Sequence, residues 1–315
     1  MSKVLIICGP TATGKTSFGL EVANKFNGEL ISADSRQVYT GMDIITGKDI
    51  PSRSQTSISN LIWRNHPLKY YDISGIKVWL YDIINPDEPF NVSFWKECAD
   101  LVIADIQKRD KLPIVVGGTG LYLKSLTQSL SQITLPPNPK LRANLAGKSA
   151  EYLYDYLNQL NPLSSAKIND SDRKNPRRLI RAIEISIANN KVTKTHGNNE
   201  TMQKFNNLLI CLSAPKEFLY TRIDRRVDDR ISQGATQEAG NMLEKYDSNL
   251  PSMTSSGYRA FLDPNPIEKW KTLEHQYTRR QITWFKKQPD THRFDISIPD
   301  WQSDAFSLIS DWYNN

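Results

Sequence analysis

A phosphate-binding pattern constrains the fold of this chain more than any other feature. Residues 9–16 have the sequence GPTATGKT, and they follow an apolar run from Val4 to Cys8. A buried strand that leads directly into Gly-x-x-x-x-Gly-Lys-Thr, with a helix after it, is typical of a P-loop. Successive backbone N–H groups and the helix N-terminus then form an anion cradle, so the sequence predicts a site for a diphosphate or triphosphate.

Two further apolar runs predict the fold around this loop. Glu29–Ser32 and Leu112–Val116 are each short enough to be buried strands of a parallel sheet. Apolar residues recur at helical spacing between them, in Thr16–Phe26 and again from Phe94 to Ile106. This alternation predicts an α/β fold with a P-loop NTPase-like parallel sheet flanked by helices.

The chain changes character after residue 128. A Pro-rich break at residues 136–139 leads into a stretch that is helical in pattern to about Asn190 and has no strand-like run. We therefore predict three regions and a helical insertion domain. They are a P-loop α/β core at 1–128, a helical insertion at 129–203, and the rest of the core with C-terminal helices at 204–315.

Four other segments carry local patterns. Residues 51–67 contain four Ser and little periodicity, which predicts a polar loop, whereas Ile76–Ile84 alternates as a strand does. A helix with an apolar stripe is predicted from Leu219 to a C-cap at Gly234. A long helix is predicted from Pro266 to about Lys287.

Basic residues are clustered rather than abundant. Forty Lys and Arg against 34 Asp and Glu give a net charge of +6, which is too small to identify a partner. Five basic residues lie within 173–181 and four within 222–230. Such clusters form either solvated helix faces or nucleic-acid contacts, and the sequence pattern alone leaves both open.

Cysteine spacing and hydropathy limit the class of protein. The three scattered cysteines have no C-x-x-C spacing, which argues against a disulfide scaffold and a structural zinc site. The N-terminal residues lack the basic head and cleavage site of a signal peptide, and no apolar run approaches the ~18 residues of a membrane span. We expect a cytoplasmic protein without a membrane segment, and nothing demands more than a monomer.

The residues after the second strand are candidates for chemistry. ATPases and GTPases usually place an Asp after another strand, where it holds the metal and positions water, but here Leu112–Val116 ends in Gly117-Gly118-Thr119-Gly120. The acid in a comparable place is Asp34, at the carboxyl end of the second strand, where open α/β sheets build their sites. The side chains beside it suit hydrogen bonds to the edge of a base: Ser35, Arg36 and Gln37.

Five segments in order resemble tRNA dimethylallyltransferases of the shorter, bacterial type: GPTATGKT, ISADSRQVYTGMDI, GGTGLYL, NPRRLIRAIEI and RQITWFKK. The resemblance covers nearly the whole chain. It implies an enzyme that moves a dimethylallyl group from dimethylallyl diphosphate to N6 of adenosine 37, next to the anticodon of tRNA. The chain departs from the family at Ile45, where Gly is common, and at Trp79-Leu80, where a His pair is common.

The resemblance also implies roles for individual residues. The diphosphate would lie on Gly9, Pro10, Thr11, Ala12, Thr13, Gly14, Lys15 and Thr16. Thr16 would also ligate Mg²⁺, Thr11 would contact the bridging oxygen, and Arg226, in preference to Arg222, would bind the diphosphate. Asp34 would accept the N6 proton while Ser35, Arg36 and Gln37 position the base. The anticodon stem-loop of the tRNA would contact Thr119, Arg142, Arg177, Arg178 and Arg181.

Three alternatives keep the loop and change the function. A P-loop kinase would use ATP on a nucleoside-like small molecule, with Asp34 activating a hydroxyl. An adenylate isopentenyltransferase would use free AMP as the acceptor. A non-catalytic RNA-binding protein would retain the loop without chemistry.

Overall fold

A computed structural model of the chain describes residues 3–51, 54–128, 135, 137–192 and 205–315. The chain divides into two compact units: a core unit, residues 1–128 and 203–315, and a helical unit, residues 129–202. Of the domain boundaries predicted from the sequence, the one at 128–129 lies at the end of a described range and the one at 203–204 lies outside the described residues.

Within the described residues, eight strands form one sheet. They are Lys3–Cys8 (β1), Gly28–Ser32 (β2), Gln55–Trp63 (β3), His66–Ile73 (β4), Ile76–Trp79 (β5), Leu112–Gly117 (β6), Asn206–Ser213 (β7) and His292–Asp295 (β8). Their order is β3-β4-β5-β2-β6-β1-β7-β8. In this order, every neighbouring pair from β5 through β2, β6, β1 and β7 to β8 is parallel, whereas β3–β4 and β4–β5 are antiparallel. The mostly parallel sheet confirms the α/β prediction.

Helices connect the strands. They are Lys15–Lys25 (α1), Val92–Lys108 (α2), Gly120–Thr127 (α3), Pro139–Leu145 (α4), Ala150–Leu160 (α5), Pro162–Ser165 (α6), Asp170–Arg173 (α7), Pro176–Val192 (α8), Lys216–Ser232 (α9), Ala235–Lys245 (α10), Ser256–Ala260 (α11), Pro266–Lys286 (α12) and Trp301–Asn314 (α13). Gly234 follows α9 with a φ of 103°, as the predicted C-cap requires. Among the described helices, none is both long and apolar enough to span a bilayer.

The sheet of the core unit is covered on both faces. Alternate residues of β1 face opposite sides because successive side chains of a strand point in opposite directions. Ile6 packs with α2 and α3 in one apolar cluster, whereas Ile7 packs with α1 and α13 in the other. β1 and β6 are therefore apolar on both faces, which is why they appear in the sequence as continuous apolar runs.

The prediction of a polar loop at residues 51–67 is wrong. β3 and β4 form an antiparallel hairpin that extends the sheet beyond β5. Arg64 and Asn65 join the two strands with φ values of 44° and 70°, which suits the two-residue turns that match strand twist. Trp63 is buried while Ile62 is exposed, so the segment has a strand period that its serines concealed.

The strand predicted at Ile76–Ile84 is shorter than expected. β5 ends at Trp79 because Leu80 and Asp82 have φ values of 68° and 53°, which leave the extended conformation. The buried Asp82 carboxylate accepts hydrogen bonds from the Tyr71 hydroxyl and the Lys48 ammonium group. Beyond β5 the backbone pairs with the Asp34 segment instead, through an isolated parallel bridge between Tyr39 and Ile84.

The described part of the helical unit contains helices only, from α4 to α8. Leu153, Leu157, Leu179 and Ile183 form its core where α5 packs on α8. This confirms the expectation of a helical insertion. The helices of the unit bury their apolar residues against one another in a small core of their own.

A buried carboxylate joins β2 to the segment before β6. Glu29 is fully buried, and it accepts hydrogen bonds from Trp79 Nε1 at 2.9 Å and Arg109 Nη2 at 2.7 Å. Lys111 Nζ lies 3.1 Å from the same carboxylate. Burial alone would raise the pKa of Glu29, but these three donors hold it below its ordinary value.

Acid should weaken the core unit through Glu29. Because its pKa is depressed in the folded protein, the ionised carboxylate contributes stability above the unfolded pKa, and this is lost as pH falls below about 4.5. Glu29→Gln should cost about 1–3 kcal/mol at pH 7, since the donors lose a charged acceptor. Denaturant unfolding should show that the difference in free energy of unfolding between Glu29→Gln and the wild type becomes smaller as the pH is lowered to 3. The exposed Glu244→Gln is the control, and a difference that does not change with pH would contradict the assignment.

Candidate active site

The P-loop connects β1 to α1 through backbone conformations that few residues can adopt. Gly9 has a φ of 139°, and a Cβ atom there would lie 2.2 Å from the carbonyl oxygen of Leu212. Gly14, with a φ of 79°, directly precedes α1. The Thr13 hydroxyl donates a 2.9 Å hydrogen bond to the carbonyl oxygen of Pro10. The loop thus leads directly into the unpaired N–H groups of the first turn of α1, as an anion site requires.

Lys15 lies within this loop and is half-buried. Its Nζ donates a 2.5 Å hydrogen bond to the carbonyl oxygen of Pro10. Burial and the nearby charge of Arg226 lower the pKa of Lys15 to about 8. Such a lowered pKa is typical of functional lysines, because the free protein lacks the anion that would stabilise the ammonium group.

Two arginines of α9 contact the P-loop. Arg226 Nη2 donates a 2.5 Å hydrogen bond to the Thr11 hydroxyl, so these two candidate residues are brought together. Arg222 Nε donates instead to the carbonyl oxygen of Ala12 at 2.8 Å, and Arg222 is exposed. Of the two, Arg226 is therefore the better placed to bind a ligand on the loop.

Asp34 follows β2 and lines the same cleft as Lys15 and Arg226. Its Oδ1 accepts a 2.8 Å hydrogen bond from the backbone N–H of Arg36. Burial raises the pKa of Asp34, although the Arg36 N–H and charge and the charge of Lys15 oppose the shift. The carboxylate is thus positioned by its own loop and has a raised proton affinity, as a general base needs.

The other residues of the Asp34 segment are held by the protein. Ser35 N donates to the Thr119 hydroxyl at 3.1 Å, and the Arg36 guanidinium binds Thr254 Oγ1 at 3.0 Å. The Gln37 amide accepts from the Ser32 hydroxyl at 2.7 Å and donates to the carbonyl oxygen of Gly47, also at 2.7 Å. The roles predicted for Ser35, Arg36, Gln37 and Thr119 remain predictions, and these contacts fix the local backbone.

One central residue was missed by sequence reasoning. Gln281 of α12 is buried, and its Oε1 accepts a 2.9 Å hydrogen bond from the backbone N–H of Thr11. Its Nε2 donates a 3.1 Å hydrogen bond to the carbonyl oxygen of Gly118. The side chain therefore ties the P-loop to the turn after β6. Its only signal in the sequence is its place in the RQITWFKK segment.

These elements enclose a cleft of about 920 Å³ among the described residues. Its basic lining residues are Lys15, Arg36, Arg222, Arg225, Arg226, Arg230, Arg259 and Arg280. Its acidic lining residues are Asp34, Asp49, Asp229 and Glu274. Cations exceed anions along the walls, so the cleft attracts anionic ligands.

The arginines predicted to bind tRNA differ in their pairing within the helical unit. Arg142 binds the buried Glu184 carboxylate through two hydrogen bonds of 2.7 and 2.9 Å, and Arg181 Nη1 binds it at 3.0 Å. Burial would raise the pKa of Glu184, but these donors lower it. Arg178 pairs with Asp172. Arg177 is exposed and has no partner among the described residues.

Metal ligands were sought in the same part of the chain. Among the described residues, no group of three His, Cys, Asp or Glu side chains is arranged to hold an ion. Thr16 lines the cleft next to Lys15, and its hydroxyl is the type of hard oxygen ligand that Mg²⁺ accepts beside phosphate oxygens and water. The donor chemistry at Thr16 therefore fits Mg²⁺ bound together with a phosphorylated ligand.

Comparison with known proteins gives a consistent match. A family model described as IPP transferase matches residues 37–288. A tRNA dimethylallyltransferase of Roseiflexus sp. (strain RS-1) is 35% identical over 326 residues, covering 99% of each chain. One of Limosilactobacillus reuteri (strain DSM 20016) is 34% identical over 328 residues, again covering 99% of each chain.

Solved structures match as well. The full-length tRNA isopentenylpyrophosphate transferase of Bacillus halodurans has a TM-score of 0.67 and 29% identity, over 99% of this chain and 97% of that one. A eukaryotic dimethylallyltransferase described as acting on tRNA has a TM-score of 0.78 and 26% identity, over 98% and 78% of the two chains. The fold is thus shared over nearly the whole chain.

Diphosphate affinity should fall as pH rises above about 8. In the free protein the pKa of Lys15 is about 8, so its ammonium group loses a proton in this range and attracts an anion less. Calorimetric titration with inorganic diphosphate from pH 7 to 9 should show about a tenfold loss relative to Lys15→Arg, which stays charged. The arginine variant corrects for ionisation of the diphosphate itself, and an equal pH dependence in both proteins would exclude Lys15.

Proposed function

The chain belongs to the IPP transferase family, and we propose that it transfers a dimethylallyl group from dimethylallyl diphosphate to N6 of adenosine 37 of tRNA, next to the anticodon. Diphosphate is the other product. The observation that supports this best is one cleft that joins an anion-binding loop, with Lys15 and Arg226, to the carboxylate of Asp34. The names of the similar proteins support the same donor and acceptor.

The P-loop would bind the donor through its diphosphate. As the bond between C1 of the allyl group and the diphosphate oxygen breaks, its electron pair stays on the leaving diphosphate. The N–H groups at the start of α1, together with Lys15 and Arg226, would face this growing charge, and donors held in place in this way lower the barrier. Thr11, hydrogen-bonded to Arg226, would contact the bridging oxygen.

Asp34 would serve the acceptor. N6 of adenine is a poor nucleophile because its lone pair is delocalised into the ring, and it becomes acidic only as its bond to C1 forms. A carboxylate within reach can accept the proton at that moment. The adenine must leave its stack to enter the cleft, at a cost of a few kcal/mol. Ser35, Arg36 and Gln37 would position it, directly or through the loop that they hold.

Mg²⁺ would be bound at the Thr16 hydroxyl together with the diphosphate, and when bound it would neutralise part of the leaving-group charge. We propose that the helical unit contributes to tRNA binding through Arg177, which is exposed and has no partner among the described residues. We further propose that the protein acts as a cytoplasmic monomer. A kinase is disfavoured because β6 ends in Gly117 and lacks the Asp with which P-loop enzymes that use ATP usually hold Mg²⁺.

Transfer of label tests the function directly. With labelled dimethylallyl diphosphate, label should enter an unmodified tRNA without ATP. Asp34→Asn should lower kcat by about a hundredfold or more, with the Kd values of diphosphate and tRNA changed only a fewfold, because a general base acts in the transition state. Asp228→Asn, on α9 but outside the cleft, is the control.

Other outcomes would select other functions. Phosphate transfer that requires ATP would identify a kinase, and label in free AMP would identify an adenylate isopentenyltransferase. RNA binding without transfer by the wild type would indicate a non-catalytic binding protein.

Arg177→Ala should weaken tRNA binding severalfold and reduce the slope of log K against log salt by about one, because one phosphate contact is lost. The control is Lys108→Ala, which removes an exposed cation at the end of α2. Lys108 precedes the amino end of β6, whereas the cleft lies at the carboxyl ends of the strands. Binding measured at several salt concentrations gives the slopes. Equal slopes for wild type and Arg177→Ala would place Arg177 outside the RNA interface.

A further inference from the structure

One cation of the cleft has a position that the predicted mechanism does not use. Arg222, Arg226 and Arg230 are spaced four residues apart on α9, so they form a row along one side of the helix. The first two contact the P-loop. Arg230, the third, lines the same cleft but is only 4% exposed.

The hydrogen-bonding capacity of Arg230 is largely unused. A guanidinium has five N–H donors. Nη1 donates a 3.3 Å hydrogen bond to the carbonyl oxygen of Ile45, and Nη2 lies 3.7 Å from Asp49, beyond hydrogen-bond distance. Nε is buried and has no partner among the described residues. The side chain of Asp49 is 59% exposed, so solvent weakens its attraction.

The charge of Arg230 is correspondingly undercompensated. Burial and the nearby charge of Arg226 lower the pKa of Arg230 to about 10, although the charges of Asp49 and Glu274 oppose the shift. Among the described residues, the carboxylate paired with Arg226 is that of Glu274, at 3.7 Å, and the buried Nε of Arg226 has no partner there. A buried cation without a matched anion is costly unless a ligand supplies one.

The cleft wall is shaped around this guanidinium. A Cβ atom on Gly47 would lie 1.5 Å from Arg230 Nη2, and Gly47 has a φ of 66°. Any side chain at position 47 would therefore displace the guanidinium. The wall thus accommodates a buried cation that the fold leaves incompletely paired.

We propose that Arg230 is a further donor-binding residue, which binds the diphosphate of the allylic donor together with Arg226. Residues four apart on a helix have Cβ atoms about 5–6 Å apart, so two adjacent guanidinium groups can share the oxygens of one diphosphate. At 4% exposure, Arg230 is accessible only to a small anion inside the cleft, which favours the donor over the phosphate backbone of tRNA. The assignment rests on the proposed function, since the diphosphate must lie on the P-loop.

The test measures binding and folding separately. Arg230→Met, which keeps most of the side-chain length, should weaken binding of inorganic diphosphate by about ten- to a hundredfold in calorimetry. Its Tm should stay equal or rise, because replacing a buried, poorly paired cation with an apolar side chain removes a desolvation cost. KM for the donor should rise, whereas the Kd of tRNA should not change.

Asp49→Asn distinguishes a ligand-binding role from a structural one. If Arg230 binds the donor, loss of the competing carboxylate should leave diphosphate affinity unchanged or tighten it a fewfold. If Arg230 only holds the segment of Ile45 and Asp49, both variants should lower Tm and neither should change diphosphate affinity. That result, or a loss of tRNA affinity alone in Arg230→Met, would overturn the proposal. If Arg230→Met does not fold, Asp49→Asn decides the question: an unchanged Tm with equal or tighter diphosphate binding supports the donor-binding role, whereas a lower Tm with unchanged affinity, or weaker diphosphate binding, contradicts it.

Lys15→Ala separates this proposal from the proposed function. Loss of diphosphate binding in Lys15→Ala with unchanged binding in Arg230→Met would refute only the role of Arg230. Unchanged binding in Lys15→Ala would instead remove the P-loop from donor binding, and the role of Arg230 would fall with it.

Discussion

The parallel pairing of three strands determines where the loops of the site lie. β1 and β2 flank β6 on its two sides, and all three run in the same direction. Because their carboxyl ends meet at one edge, the P-loop, the Asp34 segment and the turn after β6 must come together there. The approach is so close that a Cβ atom on Gly117 would lie 2.3 Å from the carbonyl oxygen of Ala33. A larger residue at that position would separate the strands whose ends bring Lys15 and Asp34 into one cleft.

Three cations are brought close together in this cleft. Lys15, Arg226 and Arg230 are close enough for the charge of Arg226 to lower the pKa of the other two. The carboxylates of Glu274 and Asp49 each lie 3.7 Å from one of the arginines, too far for a hydrogen bond. The folded protein therefore holds unfavourable interactions among cations that a polyanionic ligand relieves. Ligand binding and folding stability are therefore coupled, because a bound anion offsets the free-energy cost of burying these cations and so stabilises the folded state.

Sequence patterns predicted those parts of the fold and site that one segment forms alone. The P-loop, Asp34 at a strand end and the alternation of strands and helices all depend on local spacing. The hairpin within residues 51–67 escaped prediction because polar residues alternate there on a solvated face, which weakens the apolar signal of a strand. Gln281 could not be predicted, because it meets Thr11 across 270 residues of sequence and no spacing rule relates them. The preference for Arg226 gains support only from tertiary contacts, since helical spacing treats it and its neighbours alike.

The basic cluster at residues 173–181 shows why counting charges overstates an RNA-binding surface. In the sequence its members are equivalent, yet Arg181 joins Arg142 in binding a carboxylate of Glu184 that is 3% exposed. If either arginine moved to an RNA phosphate, it would leave a buried anion partly uncompensated, which costs more free energy than a solvated phosphate contact returns. Arg177 leaves nothing unpaired among the described residues when it contacts a ligand. Whether an arginine can bind RNA thus depends on the carboxylate that it would leave unpaired, and only the folded structure shows which carboxylate that is.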